Sequence, residues 1–279
     1  MAGPPAAEGA STALGGLPPD MASVLAGSLP AFDRKELLAP AMLTPIFAAA
    51  DARGAAAKAA LQEARAGQLG AAAMTALGDG DQALATFLKG LDLLSQSQVD
   101  RAVVQLQTAM QMAPAFVPAR LYLGAALAET NRHKEAAGLL QSGVGAAPTL
   151  SAPARVAAEE WIKAGQASLA IAPLEQALSL ADTDTRARKL LGVAYALSGR
   201  AGDAVPVLAP YLDGHPTDQA ALLAALYGTY MRHQAAPQPE TIAADRDRAV
   251  KWAKAYSASG GPLQPLVAAW MKHLEGVKP

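Results

Sequence analysis

The side chains able to hold a metal or move a proton are few, and their spacing does not assemble them. His133, His215, His233 and His273 lie in separate segments, none four residues from another, so no two share the helix face on which a zinc ion is held. They read as surface or turn histidines. Gly78-Asp79-Gly80-Asp81-Gln82-Ala83 has the outline of a dinucleotide-binding turn, but no strand precedes it, and an aspartate placed there caps the next helix. Asp182-Thr183-Asp184 could ligate calcium, yet it sits where another helix begins, so capping is again expected. Glu159 and Glu160 are adjacent, and neighbours on a helix point in different directions, unlike a cooperating acid and base. No nucleophile elbow, P-loop or HExxH motif occurs. The expectation is a protein that is not an enzyme and uses no cofactor or metal.

What would position these residues is a helical framework. The chain has 279 residues, 52% hydrophobic and 5% aromatic, with a net charge of −1. That is enough apolar material for a core and too little positive charge for nucleic acid. Cysteine is absent, which removes disulfides and thiolate chemistry. Apolar runs such as 220–231 and 190–197 fall short of the ~20 residues that cross a bilayer, so no membrane span is expected. Residues 1–20 lack the basic and apolar regions of a signal peptide, which points to the cytoplasm. Alanine favours helices, strand-type alternation is hard to find, and glycine and proline recur at intervals like punctuation.

Residues 1–20, nearly devoid of large apolar groups, read as a flexible linker. Residues 21–78 read as an N-terminal helical segment, with an apolar piece at 24–38 and a helix from Thr44-Pro45 to about Ala66. From 79 to 275 the chain repeats. Four units, 83–116, 117–150, 151–184 and 185–218, align without insertion at a spacing of 34 residues. Gly90, Gly124, Ala158 and Gly192 form one column of small residues; Ala102, Ala136, Ala170 and Ala204 form another. Leu106, Leu140, Leu174 and Leu208 follow one turn later. Two helices approach closely only where side chains are small, so these columns mark helix crossings. Leu93, Leu127, Trp161 and Tyr195 fill the space beside each crossing, and Ser97, Asn131, Gly165 and Gly199 occupy the turns. Pro114, Pro148 and Pro216 close three units, with Asp182 in their place in the third. Pro210, inside the second helix of the fourth unit, is expected to kink or shorten it. A fifth pair, with first helix Gln219 to Arg232 and second helix Asp245 to Ser257, flanks an insertion at 234–240, and Pro262 to Leu274 reads as a capping helix.

The run Leu123-Gly124, Leu127, Ala136, Leu140, Gly143 and Pro148 resembles the tetratricopeptide repeat, and Leu191-Gly192, Tyr195, Gly199, Ala204, Leu208 and Pro216 resemble it again. Thr86, Arg120, Ala154 and Arg188 depart from that family's early tryptophan. The resemblance implies an all-α fold, an α-α superhelix of antiparallel helix pairs, whose first helices line a concave peptide-binding groove. Carried onto this chain, the groove would include Phe87, Leu91, Leu121, Arg155, Glu159, Ile162, Arg186, Lys189 and Val193, continuing to Tyr227 and Tyr230. It would be apolar at both ends and basic in the middle, suited to a protein or peptide ligand with apolar anchors and a carboxylate. Alternatively, the N-terminal helices cover Phe87, Leu91 and Leu121. The asparagines of the family's chaperone-binding clamp are missing, which disfavours that ligand. The implied function is a non-catalytic binding scaffold, with a structural or assembly module, self-association included, as the competing reading. Residues 17–48 also resemble the tail after a von Willebrand factor A-like domain in acidobacterial repeat proteins. That resemblance implies a bacterial chain that is the C-terminal part of an exported parent, periplasmic or extracellular.

Overall fold

Among the described residues the alanine-rich stretches become helices, and each glycine or small polar residue of the turn column ends one in the same way. The computed structural model describes residues 17–30, 33–39, 42–43, 55–235 and 239–276, and among them the secondary structure is helical, without a strand. Most of the expected linker (1–16), the expected helix start at Thr44-Pro45 and residues 236–238 of the insertion lie outside the described residues. The helices are α1 (Pro19–Gly27), α2 (Arg34–Leu37), α3 (Ala55–Arg65), α4 (Leu69–Gly78), α5 (Gln82–Ser95), α6 (Val99–Met112), α7 (Val117–Glu129) and α8 (His133–Gly143). After a 3-10 turn at Val144–Ala146 come α9 (Ser151–Lys163), α10 (Ala167–Leu180), α11 (Thr185–Leu197), α12 (Ala201–Gly214), α13 (Gln219–Ala235), α14 (Pro239–Ala258) and α15 (Gln264–Gly276). None of them is long and apolar enough to cross a membrane.

The turn column shows how the repeats are punctuated. Ser97, Asn131, Gly165 and Gly199 all have positive φ, 64°, 59°, 72° and 80°. The amide of the following residue then donates back to the column of large side chains: Gln98 to the Leu93 carbonyl at 2.8 Å, Arg132 to Leu127 at 3.1 Å, Gln166 to Trp161 at 2.9 Å and Arg200 to Tyr195 at 3.0 Å. This bond closes a helix end whose carbonyls would otherwise lack partners, and it requires one left-handed residue. Glycine takes that conformation freely and asparagine with little strain, which accounts for Asn131, Gly165 and Gly199, while Ser97 holds the same angle at a greater conformational cost. The next helices begin with the expected caps: Asp81 accepts from the Leu84 amide at 3.0 Å and Asp184 from the Ala187 amide at 2.9 Å.

The chain divides into two compact units, one of residues 29–194 and one of 1–28 with 195–279. In the first, α5 packs on α6, α7 on α8 and α9 on α10. A Cβ on Gly90 would lie 2.7 Å from Leu106 Cγ, and one on Gly124 would lie 2.8 Å from both Cγ and the backbone nitrogen of Leu140. Gly143 is as tight, 2.7 Å from the Leu121 backbone. The small-residue columns are therefore the lines of contact inside the α5–α6 and α7–α8 pairs. Ala102, Ala136 and Ala170 on the second helices are fully buried.

In the second unit α12, α13, α14 and α15 follow one another, with α1 against α13. The second helix of the fifth pair starts earlier than expected, at Pro239, and α15 packs on both members of that pair. Pro210 does not shorten α12, which runs through Pro206 and Pro210 to the same 14 residues as α5. Burial of Val205, Leu208, Tyr211 and Leu212 holds it against a penalty of about 3 kcal/mol for each interior proline. Pro173 is accommodated inside α10 in the same manner.

Candidate binding groove

The first helices α5, α7, α9, α11 and α13 carry the residues assigned to the groove, and the apolar members on α5 to α11 are buried. Phe87, Leu91, Leu121 and Val193 are fully buried and Ile162 is 1% exposed. Leu37, Met42 and Leu43, upstream of the repeats, belong to the same apolar core as Phe87, Leu91 and Leu121. Phe87 meets Phe116 edge-on at 5.0 Å and Tyr122 at 5.8 Å between ring centres. The Tyr122 hydroxyl donates to the Leu37 carbonyl at 2.6 Å, and burial raises its pKa. At this end the N-terminal segment reaches the first helix α7 through the Leu37 carbonyl on Tyr122, and the ring neighbours of Phe87 are Phe116 and Tyr122 of the repeats themselves. Tyr227 and Tyr230 face a different element, the terminal helix α15. Trp270 lies 5.4 Å from Tyr227 and stacks on Tyr230 at 5.8 Å, and His273 meets Tyr230 at 5.2 Å.

The charged middle of the groove is assembled into a network. Arg155, only 4% exposed, extends from α9 and spends each nitrogen on a different carboxylate. Nη1 donates to Glu159 at 3.2 Å, Nε to Asp184 at 3.1 Å, and Nη2 to Glu36 just before Leu37. Arg186 at the start of α11 faces Glu159 side-on, with Nε 2.7 Å from Oε1 and Nη2 2.8 Å from Oε2. Its Nη1 is 3.7 Å from Glu36 Oε2. Glu159 is itself buried, 1% exposed, so it orients two guanidinium forks. Lys189 is half-buried. Reversing Arg155 would crowd carboxylates in a dry site and so lower stability, whereas Arg186, with a side chain 36% exposed, can be reversed more cheaply.

Residues 93–159 match the Tetratricopeptide repeat family. Among solved structures the chain is similar to YrrB, described as a TPR protein with an unusual peptide-binding site, at 18% identity over 71% of this chain and 96% of that one, with a TM-score of 0.55. It is also similar to MamA, at 18% identity over 64% of this chain and 92% of that one, with a TM-score of 0.51. Over residues 93–159 the chain carries tetratricopeptide repeats. At this identity the likeness to both structures is one of fold. No curated protein matches the chain at a significant level.

The repeats hold a second buried charge, on the other side of α9. Glu160, fully buried, accepts from Lys163 Nζ at 2.7 Å and lies 2.7 Å from His133 Nδ1 on α8. Adjacent Glu159 and Glu160 thus serve different helix contacts, as their spacing implies. His133 is a turn-side residue, but His233 on α13 is buried, 5% exposed, contrary to a surface assignment. Its neighbours Leu226 and Tyr227 on α13 are buried as well. The repeat pattern places neither Glu36 nor Tyr122 in the groove, and at Asp184 it points to a helix cap. Glu36 lies outside the periodic region, and nothing in its local pattern points to a partner 119 residues away. Among the described residues, no group of three or more His, Asp or Glu side chains could hold a metal ion.

Proposed function

We propose that the chain is a non-catalytic scaffold whose repeats capture a protein or peptide segment along the first helices α5, α7, α9 and the start of α11. One observation carries this reading: Arg155 and Arg186, oriented by the buried Glu159, present guanidinium donors to a carboxylate that comes from outside the repeats. A scaffold needs such preset donors, because orienting them beforehand lowers the cost of binding. The peptide-binding site named for YrrB supports the same reading by analogy of fold.

Panning a phage-displayed library of random dodecapeptides on the full chain tests it. The expected result is enrichment of sequences that combine an acidic residue with apolar residues, with binding weakened by salt and reduced about tenfold by Arg186→Glu. No enrichment, or equal capture by the Arg186→Glu chain, would overturn the proposal. A second reading, an assembly module, is favoured by Met74 and Leu77, 68% and 51% exposed and one turn apart on α4. Light scattering that shows a dimer lost on Met74→Lys would support it.

A further inference from the structure

We propose that the site formed by Tyr122, Arg155 and Arg186 receives a short helical turn bearing a carboxylate followed by leucine, and that Glu36-Leu37 occupies it as an internal stand-in for a separate partner protein. The inference rests on the scaffold reading and specifies its ligand.

The occupant is built like a ligand. Helix α2 is four residues long, a single turn, too short to be stable by itself. It is held by three kinds of contact that together describe a recognition site. The Glu36 carboxylate receives Arg155 Nη2, with Arg186 Nη1 3.7 Å from its other oxygen. The Leu37 side chain is fully buried. The Leu37 carbonyl accepts from the Tyr122 hydroxyl at 2.6 Å, a contact any peptide backbone can offer.

The receptor is prepared independently of that occupant. Glu159 and Asp184 hold the remaining nitrogens of Arg155, and Glu159 accepts from Nη2 of Arg186 with Nε 2.7 Å from its other oxygen. Both forks therefore keep their aim when Glu36 leaves. The Arg155 side chain, 5% exposed, then has a donor without an acceptor. A buried guanidinium donor left so is costly, and a carboxylate of any origin relieves it. The Glu36 side chain is 31% exposed, so an incoming chain can reach the position from solvent.

The probe is a fluorescein-labelled synthetic peptide of residues 30–43, titrated by anisotropy into the full wild-type chain and into the Glu36→Ala/Leu37→Ala chain. The variant is expected to bind at least about tenfold more tightly, because its internal competitor is weakened. Unlabelled peptide should compete, and the peptide carrying Glu36→Gln should compete about tenfold less well. Equal binding by the two chains, or equal competition by the two peptides, would overturn the proposal. If circular dichroism shows the double variant unfolded, the Glu36→Gln chain replaces it with the same expected direction. A one-to-one complex between wild-type and double-variant chains by light scattering would assign the occupant to a second copy and sink the commitment to a separate partner. Success in phage panning without an acidic residue followed by leucine would leave the scaffold standing and refute this ligand alone.

Discussion

Asn131 shows how one residue type carries both a fold signal and a strain. It stands at φ 59° in the turn between α7 and α8, at the place where Gly165 and Gly199 stand in later repeats. A β-branched side chain is disfavoured there, so Asn131→Val should lower stability by about 1–2 kcal/mol, measured by urea denaturation. Asn131→Gly should change it by less than about 1 kcal/mol, because relieved strain and added unfolded-state freedom oppose each other. Equal loss from both substitutions would show that the asparagine side chain, and not the backbone angle, matters. The turn column was legible in the sequence because the backbone requirement recurs. The partners of Arg155 were not, since charge pairing leaves no periodic trace.

At the scale of helices, two glycines close in sequence separate crossing from exposure. Gly124 on α7 meets the Leu140 side chain and backbone, whereas nothing lies within 4 Å of a Cβ built on Gly138 of α8. Alanine is the better helix former by about 1 kcal/mol, so Gly138→Ala should raise stability by up to that amount. Gly124→Ala should lower it by about 1–2 kcal/mol, because the Leu140 nitrogen cannot rotate away and overpacking outweighs the propensity gain. Opposite shifts of the denaturation midpoint are expected, and a stabilised Gly124→Ala chain would contradict the close approach of α7 and α8. Helix spans follow the same logic of competing terms. Pro210 argues locally for an interrupted α12, but burial of its apolar face prevails over that local preference.

At the scale of the whole molecule, pH reports on burial. His233 is held below its ordinary pKa chiefly by burial; Arg232, Arg246 and His273 push the same way and Asp245 opposes them. In the unfolded chain a histidine titrates near 6.5, so below that pH the unfolded state binds a proton that the folded state resists. The contribution to stability is therefore intact above about 6.5 and declines as the pH falls through and below it. Melting temperatures across that range should fall less steeply for His233→Gln than for wild type, and identical slopes would count against the buried neutral histidine.

By itself the sequence determined the helical class, the 34-residue register, the turn positions and the lines along which paired helices touch, because each depends on residues within one or two turns and is written again in every repeat. It left open whether the first helices stay accessible. Only the tertiary structure decided that Leu37 and Glu36 lie on Tyr122 and Arg155, 85 and 119 residues away respectively. Such a contact depends on which distant segment offers the complementary shape and charge, and no local pattern encodes that choice.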